Sequence, residues 1–125
     1  KADAQMVEFF LQDIDEDLSR IMIDRYGNYF CQKLLSMCDT KQRSWILELI
    51  RKDFTKICCD QRGTHTIQTI FDTLSLPDEE KYIESVLRGK ISFLSMDQQG
   101  THVVQKVLQS QILKFENGVF IFDEI

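Results

Sequence analysis

The chain of 125 residues contains little proline, little glycine and no long apolar run. One Pro and five Gly are too few for a turn-rich β-sandwich or a proline-rich linker. No uncharged apolar segment approaches the roughly 18 residues that a membrane-spanning helix requires, and no basic-then-apolar signal peptide is present. The sequence therefore predicts a folded domain that does not contact a membrane.

Positive charge is also scarce, because 20 acidic residues outnumber 15 basic ones and give a net charge of -5. Proteins that bind nucleic acid are usually basic, since neutralisation of phosphates supplies much of their affinity. Composition alone therefore ranks nucleic acid low as a partner. Hydrophobic residues make up 43% and charged residues 28%, which argues against intrinsic disorder.

Metal-binding and catalytic patterns are missing as well. The four Cys include no Cys-x-x-Cys pair, whereas a zinc site needs two spaced pairs of ligands. We expect reduced, mostly buried cysteines, no metal and no cofactor. The two His, His65 and His102, lie one repeat apart and indicate two copies of one role. With no glycine-rich phosphate loop either, the sequence predicts that the chain is not an enzyme.

Three segments of the chain align with one another. They read DRYGNYFCQ (24–32), DQRGTHTIQ (60–68) and DQQGTHVVQ (97–105), and their glycines are 36 and 37 residues apart. Before each segment, apolar residues recur at i, i+1, i+4 and i+5, which indicates a helix. In the first unit this stripe includes Phe9 and Phe10. Each unit is therefore predicted to be a longer helix, an Asp-x-x-Gly turn and a shorter helix.

These units predict an all-α solenoid of about three repeats, because one helical pair cannot bury its apolar stripe alone. The predicted repeats span approximately 3–39, 40–76 and 77–113, and 114–125 resembles the start of a fourth. Asp39 is predicted to cap the second unit, and Pro77 with the acids after it to form the first turn of the third. In each turn, the Gly allows a positive φ or a close backbone contact. Neither end looks like a polar cap, so we expect a piece of a longer array.

Each shorter helix has an inward-facing side and a narrow outward-facing side, at about 100° per residue. The outward residues are Asn28, Tyr29 and Gln32; Thr64, His65 and Gln68; and Thr101, His102 and Gln105. The inward residues are Phe30, Cys31, Leu34 and Leu35; Thr66, Ile67, Ile70 and Phe71; and Val103, Val104, Val107 and Leu108. N-capping explains Asn or Thr at the first outward position. It explains neither the ring nor the Gln, which together suit the stacking faces and edges of single-stranded bases.

At these residues the chain resembles the Pumilio (PUF) family of RNA-binding repeats, and the resemblance covers essentially the whole chain. It implies a right-handed superhelical α-solenoid that binds single-stranded RNA, one base per repeat. The implied base-edge readers are Asn28, Gln32, Thr64, Gln68, Thr101 and Gln105, and the implied stacking residues are Tyr29, His65 and His102. Candidate phosphate contacts are Arg25, Lys33, Arg62 and Lys106, for which a solvated charge is an equal alternative.

The resemblance also implies a base preference. Asn with Gln is the family's uracil-reading pair, whereas Thr with Gln leaves adenine and uracil open. Since family arrays bind RNA antiparallel to the protein, the implied segment is 5′-(A/U)(A/U)U-3′.

The three shorter-helix segments (24–38, 60–74 and 97–110) carry four acids and four bases. The excess acid therefore lies away from the implied RNA face.

Family membership further implies recognition of messenger 3′ untranslated regions in the cytoplasm, with deadenylase or translational-repressor proteins as partners. One alternative is the family's divergent nucleolar branch, which acts on ribosomal RNA precursors. Another is a protein-binding scaffold of HEAT or armadillo type, although such repeats are longer, at about 40–47 residues.

Overall fold

The computed structural model describes residues 2–73 and 84–109. Within these two ranges the backbone is helical or in turns, with no β-strand, and none of their helices is long and apolar enough to span a membrane. The predicted first turn after Pro77 and the predicted fourth repeat at 114–125 lie outside the described residues.

Eight helices have both of their ends within the described ranges. They are α1 (Ala2–Ile14), α2 (Leu18–Met22), α3 (Gly27–Met37), α4 (Thr40–Ile50), α5 (Phe54–Cys58), α6 (Gly63–Thr73), α7 (Ile91–Ser95) and α8 (Gly100–Gln109). Residues 84–87 are also helical. Two 3₁₀ turns, Asp15–Asp17 and Arg51–Asp53, separate α1 from α2 and α4 from α5.

The predicted single longer helix is wrong in the first two repeats, because each 3₁₀ turn divides it into a long and a short helix. The break begins at Ile14 and Ile50, where φ is -107° and -101° and ψ is near 0°. Neither Pro nor Gly marks this break in the sequence. It redirects the short helix so that Phe54 and Ile57 of α5 are buried.

The helices stack as a solenoid, which confirms the predicted all-α fold. Within a repeat, the short helix packs on the helix after the turn: α2 on α3, α5 on α6 and α7 on α8. Between repeats, α3 packs on α6 and α6 packs on α8. The helices that carry the predicted outward residues are therefore direct neighbours, which places their polar sides next to one another.

The start of α4 confirms the predicted cap at Asp39. The Asp39 carboxylate accepts from the backbone N–H of Gln42 at 2.8 Å, and the Gln42 side chain accepts from the Asp39 backbone N–H at 3.0 Å. This reciprocal capping box satisfies two N–H groups that a helix start leaves without partners. The Gln42 amide also donates to the Ala4 carbonyl at 2.8 Å, which joins the first two repeats.

The predicted burial of four apolar residues is wrong, three of them in the first repeat and one in the third. Phe9 and Phe30 are 67% and 40% exposed, and α1 is buried through Val7 and Leu11 instead. Thr66, the equivalent of Phe30 one repeat later, is fully buried and donates to the Met22 carbonyl of the first repeat. Phe10 and Leu108 are also exposed. Burial at these positions requires a neighbouring repeat, which a prediction from one unit's periodicity does not consider.

The cysteines behave as predicted. All four are free thiols, and Cys31, Cys38 and Cys58 are buried. Burial raises the pKa of Cys31 to about 12 and that of Cys38 to about 11. These thiols are therefore protonated at neutral pH, and a protonated thiol is neither a good nucleophile nor a good metal ligand. Among the described residues no group of three His, Cys, Asp or Glu is placed to hold a metal ion.

Each Asp-x-x-Gly turn requires its glycine because of a close contact and not because of a positive φ. Within the described ranges, only Gly89 has a positive φ. A Cβ at Gly63 would lie 2.5 Å from the Ile57 carbonyl oxygen and 3.0 Å from the Ile23 side chain of the preceding repeat. The glycine thus allows the helix start to approach both the short helix and the neighbouring repeat.

We expect Gly63→Ala to destabilise the protein by about 2 kcal/mol or more, because the added methyl must displace backbone. Chemical denaturation monitored by circular dichroism measures this change. Gly89→Asn is the control, since an added Cβ there meets no atom within 4 Å and Asn tolerates a positive φ; we expect a loss below about 1 kcal/mol. A stabilising Gly63→Ala, as helix propensity alone would give, would contradict the close contact.

Candidate nucleic-acid interface

The carboxylate of each turn aspartate organises the start of the following helix. One oxygen accepts two backbone N–H bonds, from the residue before the glycine and from the glycine itself. The distances are 2.9 and 2.7 Å at Asp24, 2.8 and 2.8 Å at Asp60, and 2.9 and 2.8 Å at Asp97. The predicted turn role of these aspartates is thereby confirmed.

The first outward residue is not the helix cap that its type suggested. Helices α3, α6 and α8 begin at the glycine, so this residue lies inside the first turn. The Asn28 side-chain amide donates back to the carbonyls of Asp24 at 2.9 Å and Arg25 at 3.0 Å. Because the aspartate accepts from the N–H groups of the turn, the first outward residue is not needed as a helix cap.

The second outward residue places a ring in solvent in every repeat. Tyr29 is 69% exposed, and His65 and His102 are exposed as well. Each ring belongs to the second residue after a turn glycine, and the three helices are neighbours in the stack. The rings that were predicted on the outward side are therefore exposed on three neighbouring helices.

A groove of about 380 Å³ separates the first two rings. Its lining comprises Arg25, Tyr26, Asn28 and Tyr29 from the first repeat and Gln61, Arg62 and His65 from the second. The lining includes two guanidinium groups and no carboxylate. A planar base can enter such a groove between aromatic walls, and the guanidinium groups favour an anionic backbone beside it.

In the first two repeats, the first outward residue lies within hydrogen-bond distance of the outward Gln four residues later. The Gln32 amide nitrogen lies 3.2 Å from Asn28 Oδ1, and the Gln68 amide nitrogen lies 3.2 Å from Thr64 Oγ1. The two members differ in exposure. Asn28 is 4% exposed and Thr64 is fully buried, whereas Gln32 and Gln68 are partly exposed. In the third repeat Thr101 is partly exposed and Gln105 is exposed.

The four candidate phosphate contacts separate into two pairs. Arg25 and Arg62 line the groove, and the Arg25 guanidinium lies over the Tyr26 ring at 5.4 Å. Lys33 instead borders an apolar pocket that includes Phe10 and Phe30. Lys106 forms an ion pair with Asp72 of the preceding repeat, at 2.8 Å. The structure thus brings the two arginines to the groove and directs the two lysines elsewhere.

Sequence reasoning missed Tyr26 and Gln61 as groove residues. Tyr26 is 73% exposed, although it precedes the glycine and is not one of the three outward residues of its repeat. The signal was present, because the two residues between the turn Asp and Gly are large and polar in all three repeats (Arg25 and Tyr26, Gln61 and Arg62, Gln98 and Gln99). Tyr26 and Gln61 both precede the helix, so the periodicity of the helix does not include them.

Comparison with known proteins defines the class. The Pumilio-family RNA binding repeat matches residues 18–51, 53–86 and 90–110, which is more than half of the chain. The chain belongs to this family. The matched ranges start at a different phase of the repeat from the predicted units 3–39, 40–76 and 77–113, whose boundaries stay a prediction.

Individual relatives agree with this assignment. A Pumilio domain-containing protein of Schizosaccharomyces pombe is 37% identical over 86% of this chain and 16% of its own length. Pumilio homolog 12 of Arabidopsis thaliana is 36% identical over 69% of this chain and 15% of its own length. The chain therefore spans about one sixth of these relatives.

Two solved structures share the fold closely. The Puf4 RNA binding domain, bound to an HO endonuclease RNA 3′ UTR recognition sequence, is 29% identical with a TM-score of 0.86. The match covers 96% of this chain and 36% of that one. The PUM-HD domain of S. pombe Puf1 in complex with RNA is 26% identical with a TM-score of 0.81, over 94% of this chain and 31% of that one.

The turn aspartates predict a dependence of stability on pH. The N–H groups of Gly27 and Tyr26 hold the pKa of Asp24 below its ordinary value. The Gly100 N–H is the largest cause that lowers the pKa of Asp97. A carboxylate whose pKa is lower in the folded than in the unfolded protein stabilises the fold at pH values above the unfolded pKa. This stabilisation is lost as the pH falls through the folded pKa.

We expect Asp97→Asn, whose amide oxygen accepts the same two bonds without a charge, to lower Tm at neutral pH. The difference in Tm from the unmodified chain should stay constant at neutral pH and narrow from about pH 5 down to about pH 2, as the pH falls through the unfolded pKa and then the lowered folded-state pKa. Thermal melts across this range measure it. A difference that stays constant with pH would contradict the charge-assisted turn.

Proposed function

We propose that the chain binds single-stranded RNA along the surface formed by α3, α6 and α8, with one base per repeat. The observation that carries this proposal is the groove between Tyr29 and His65, which is lined by rings, amides and two guanidinium groups. Rings stack on the faces of bases, and side-chain amides match the donors and acceptors of base edges. Two similar structures, of Puf4 and Puf1, contain RNA, which supports the same ligand here.

The finer assignment is the recognition of messenger 3′ untranslated regions for translational repression or decay. It is supported by the 3′ UTR recognition sequence that the Puf4 domain holds. On this proposal the protein acts in the cytoplasm, with deadenylase or translational-repressor proteins as partners. The nucleolar alternative predicts binding to structured RNA with little base preference, so base selectivity separates the two.

The proposed base segment is 5′-(A/U)(A/U)U-3′, with the 3′ uracil facing Asn28 and Gln32. Stacking on rings is tolerant of sequence, so the selectivity must come from the amide edges. The phosphates contribute less, because only Arg25 and Arg62 of the four candidate cations line the groove.

We expect Tyr29→Ala and His65→Ala each to weaken binding of a short A/U-rich RNA by about fivefold to a hundredfold, since one stacked base contributes about 1–3 kcal/mol. NMR titration with 15N-labelled protein measures affinities in this weak range. Phe93→Ala is the matched control, because Phe93 is 57% exposed and does not line the groove. Equal losses for all three variants would indicate non-specific binding to exposed rings.

A single-base series tests the 3′ uracil. The RNA contains three consecutive bases flanked by abasic nucleotides, so that a shift in register loses stacking. We expect uracil to bind more tightly than guanine or cytosine at the 3′ position by about fivefold or more, and Gln32→Ala to reduce this preference. Acceptance of guanine or cytosine as well as uracil would refute the proposed segment.

A further inference from the structure

Thr64 differs from the other candidate base-edge residues in its surroundings. It is fully buried, and its hydroxyl oxygen lies 3.1 Å from the Gln99 backbone carbonyl of the next repeat. The same oxygen lies 3.2 Å from the Gln68 amide nitrogen. The hydroxyl therefore stands between a main-chain carbonyl on one side and a side-chain amide on the other.

The direction of these two hydrogen bonds follows from the chemistry of the groups. A carbonyl oxygen only accepts, so the Thr64 hydroxyl must use its single proton to donate to Gln99. Its oxygen is then an acceptor toward Gln68, which must present its NH₂ group. Gln68 therefore donates to Thr64, and Thr64 donates to the Gln99 carbonyl. These two bonds fix the orientation of the Gln68 amide, with its nitrogen toward Thr64 and its oxygen away from the helix.

The first repeat reaches the same orientation with a different residue. Asn28 uses its NH₂ group on the Asp24 and Arg25 carbonyls. Its Oδ1 therefore faces Gln32, which donates through its own NH₂ group at 3.2 Å. In both repeats, the first outward side chain donates to main-chain carbonyls and accepts from the NH₂ group of the glutamine. The glutamine nitrogen therefore points toward the helix, and the glutamine oxygen points outward.

We propose that Thr64 is a positioning residue and that the second repeat reads its base through Gln68 alone. This proposal rests on the proposed function. Thr64 has no exposed surface for a base and no remaining proton to donate. Its role is to orient Gln68, whose oxygen accepts from an N–H on the base edge, such as N3–H of uracil or the N6 amino group of adenine.

A double-mutant cycle distinguishes positioning from direct contact. Affinities are measured for RNAs with A, U, G or C facing the second repeat, using the unmodified chain, Thr64→Val, Gln68→Ala and the double variant. We expect Thr64→Val to reduce the ratio between preferred and disfavoured bases by about threefold to tenfold, as the loss of one orienting hydrogen bond implies. In the Gln68→Ala background the same substitution should change this ratio by less than about twofold.

Thr64→Ser is the matched control, because it keeps the hydroxyl, and its base preference should equal that of the unmodified chain. A structural role alone would lower Tm in Thr64→Val without changing the base ratio, and this result would overturn the proposal. An effect of Thr64→Val that persists in the Gln68→Ala background would also overturn it, since it would show direct contact with the base.

A measurement on the unmodified chain needs no substitution. In the free protein, NMR should show nuclear Overhauser contacts between the Gln68 side-chain NH₂ protons and the Thr64 methyl, together with slowed exchange of one of these protons. Their absence would overturn the positioning role. Failure of the unmodified chain to bind any RNA would overturn the proposed function. If the unmodified chain binds RNA but Thr64→Val leaves the base ratio unchanged, only the role of Thr64 is overturned.

Discussion

The recognition surface depends on the two hydrogen bonds that each turn aspartate accepts beside a glycine without a Cβ. The carboxylate binds the N–H groups at the helix start, and the glycine brings that start close to the preceding short helix. Together they fix the residue at which the helix begins. Since the direction of every later side chain follows from this point, the same ring and amide positions recur on α3, α6 and α8.

This constraint explains why so much could be predicted from the sequence. The Asp-x-x-Gly turn and the outward residues that follow it are local features, so their threefold repetition identified the helices and the exposed rings Tyr29, His65 and His102. The proximity of Gln32 to Asn28 followed from the i, i+4 geometry of a helix. The capping box at Asp39 was predictable for the same reason, because its partner lies three residues away.

Features that depend on neighbours were not predictable in this way. Phe9 and Phe30 are apolar residues of the predicted core stripe, yet both are exposed, because no described residue of another repeat covers them. The break after Ile50 has no Pro or Gly signal, and the short helix α5 that follows it packs on α6. The pairing of Lys106 with Asp72 and the bond from Thr64 to Gln99 cross between repeats, and no spacing within one repeat indicates them.

The cross-repeat bond at Thr64 bears on how such repeats are interpreted from residue types. Asn28 and Thr64 are chemically different, yet the side chain of each donates to a main-chain carbonyl. Each also accepts from the NH₂ group of a glutamine, which directs the glutamine oxygen outward. The carbonyl that Thr64 uses belongs to the following repeat. If Thr64 positions Gln68 as proposed, the base preference of the second repeat depends on the packing of the third, and a change in this inter-repeat contact alters recognition without changing any residue that touches the base.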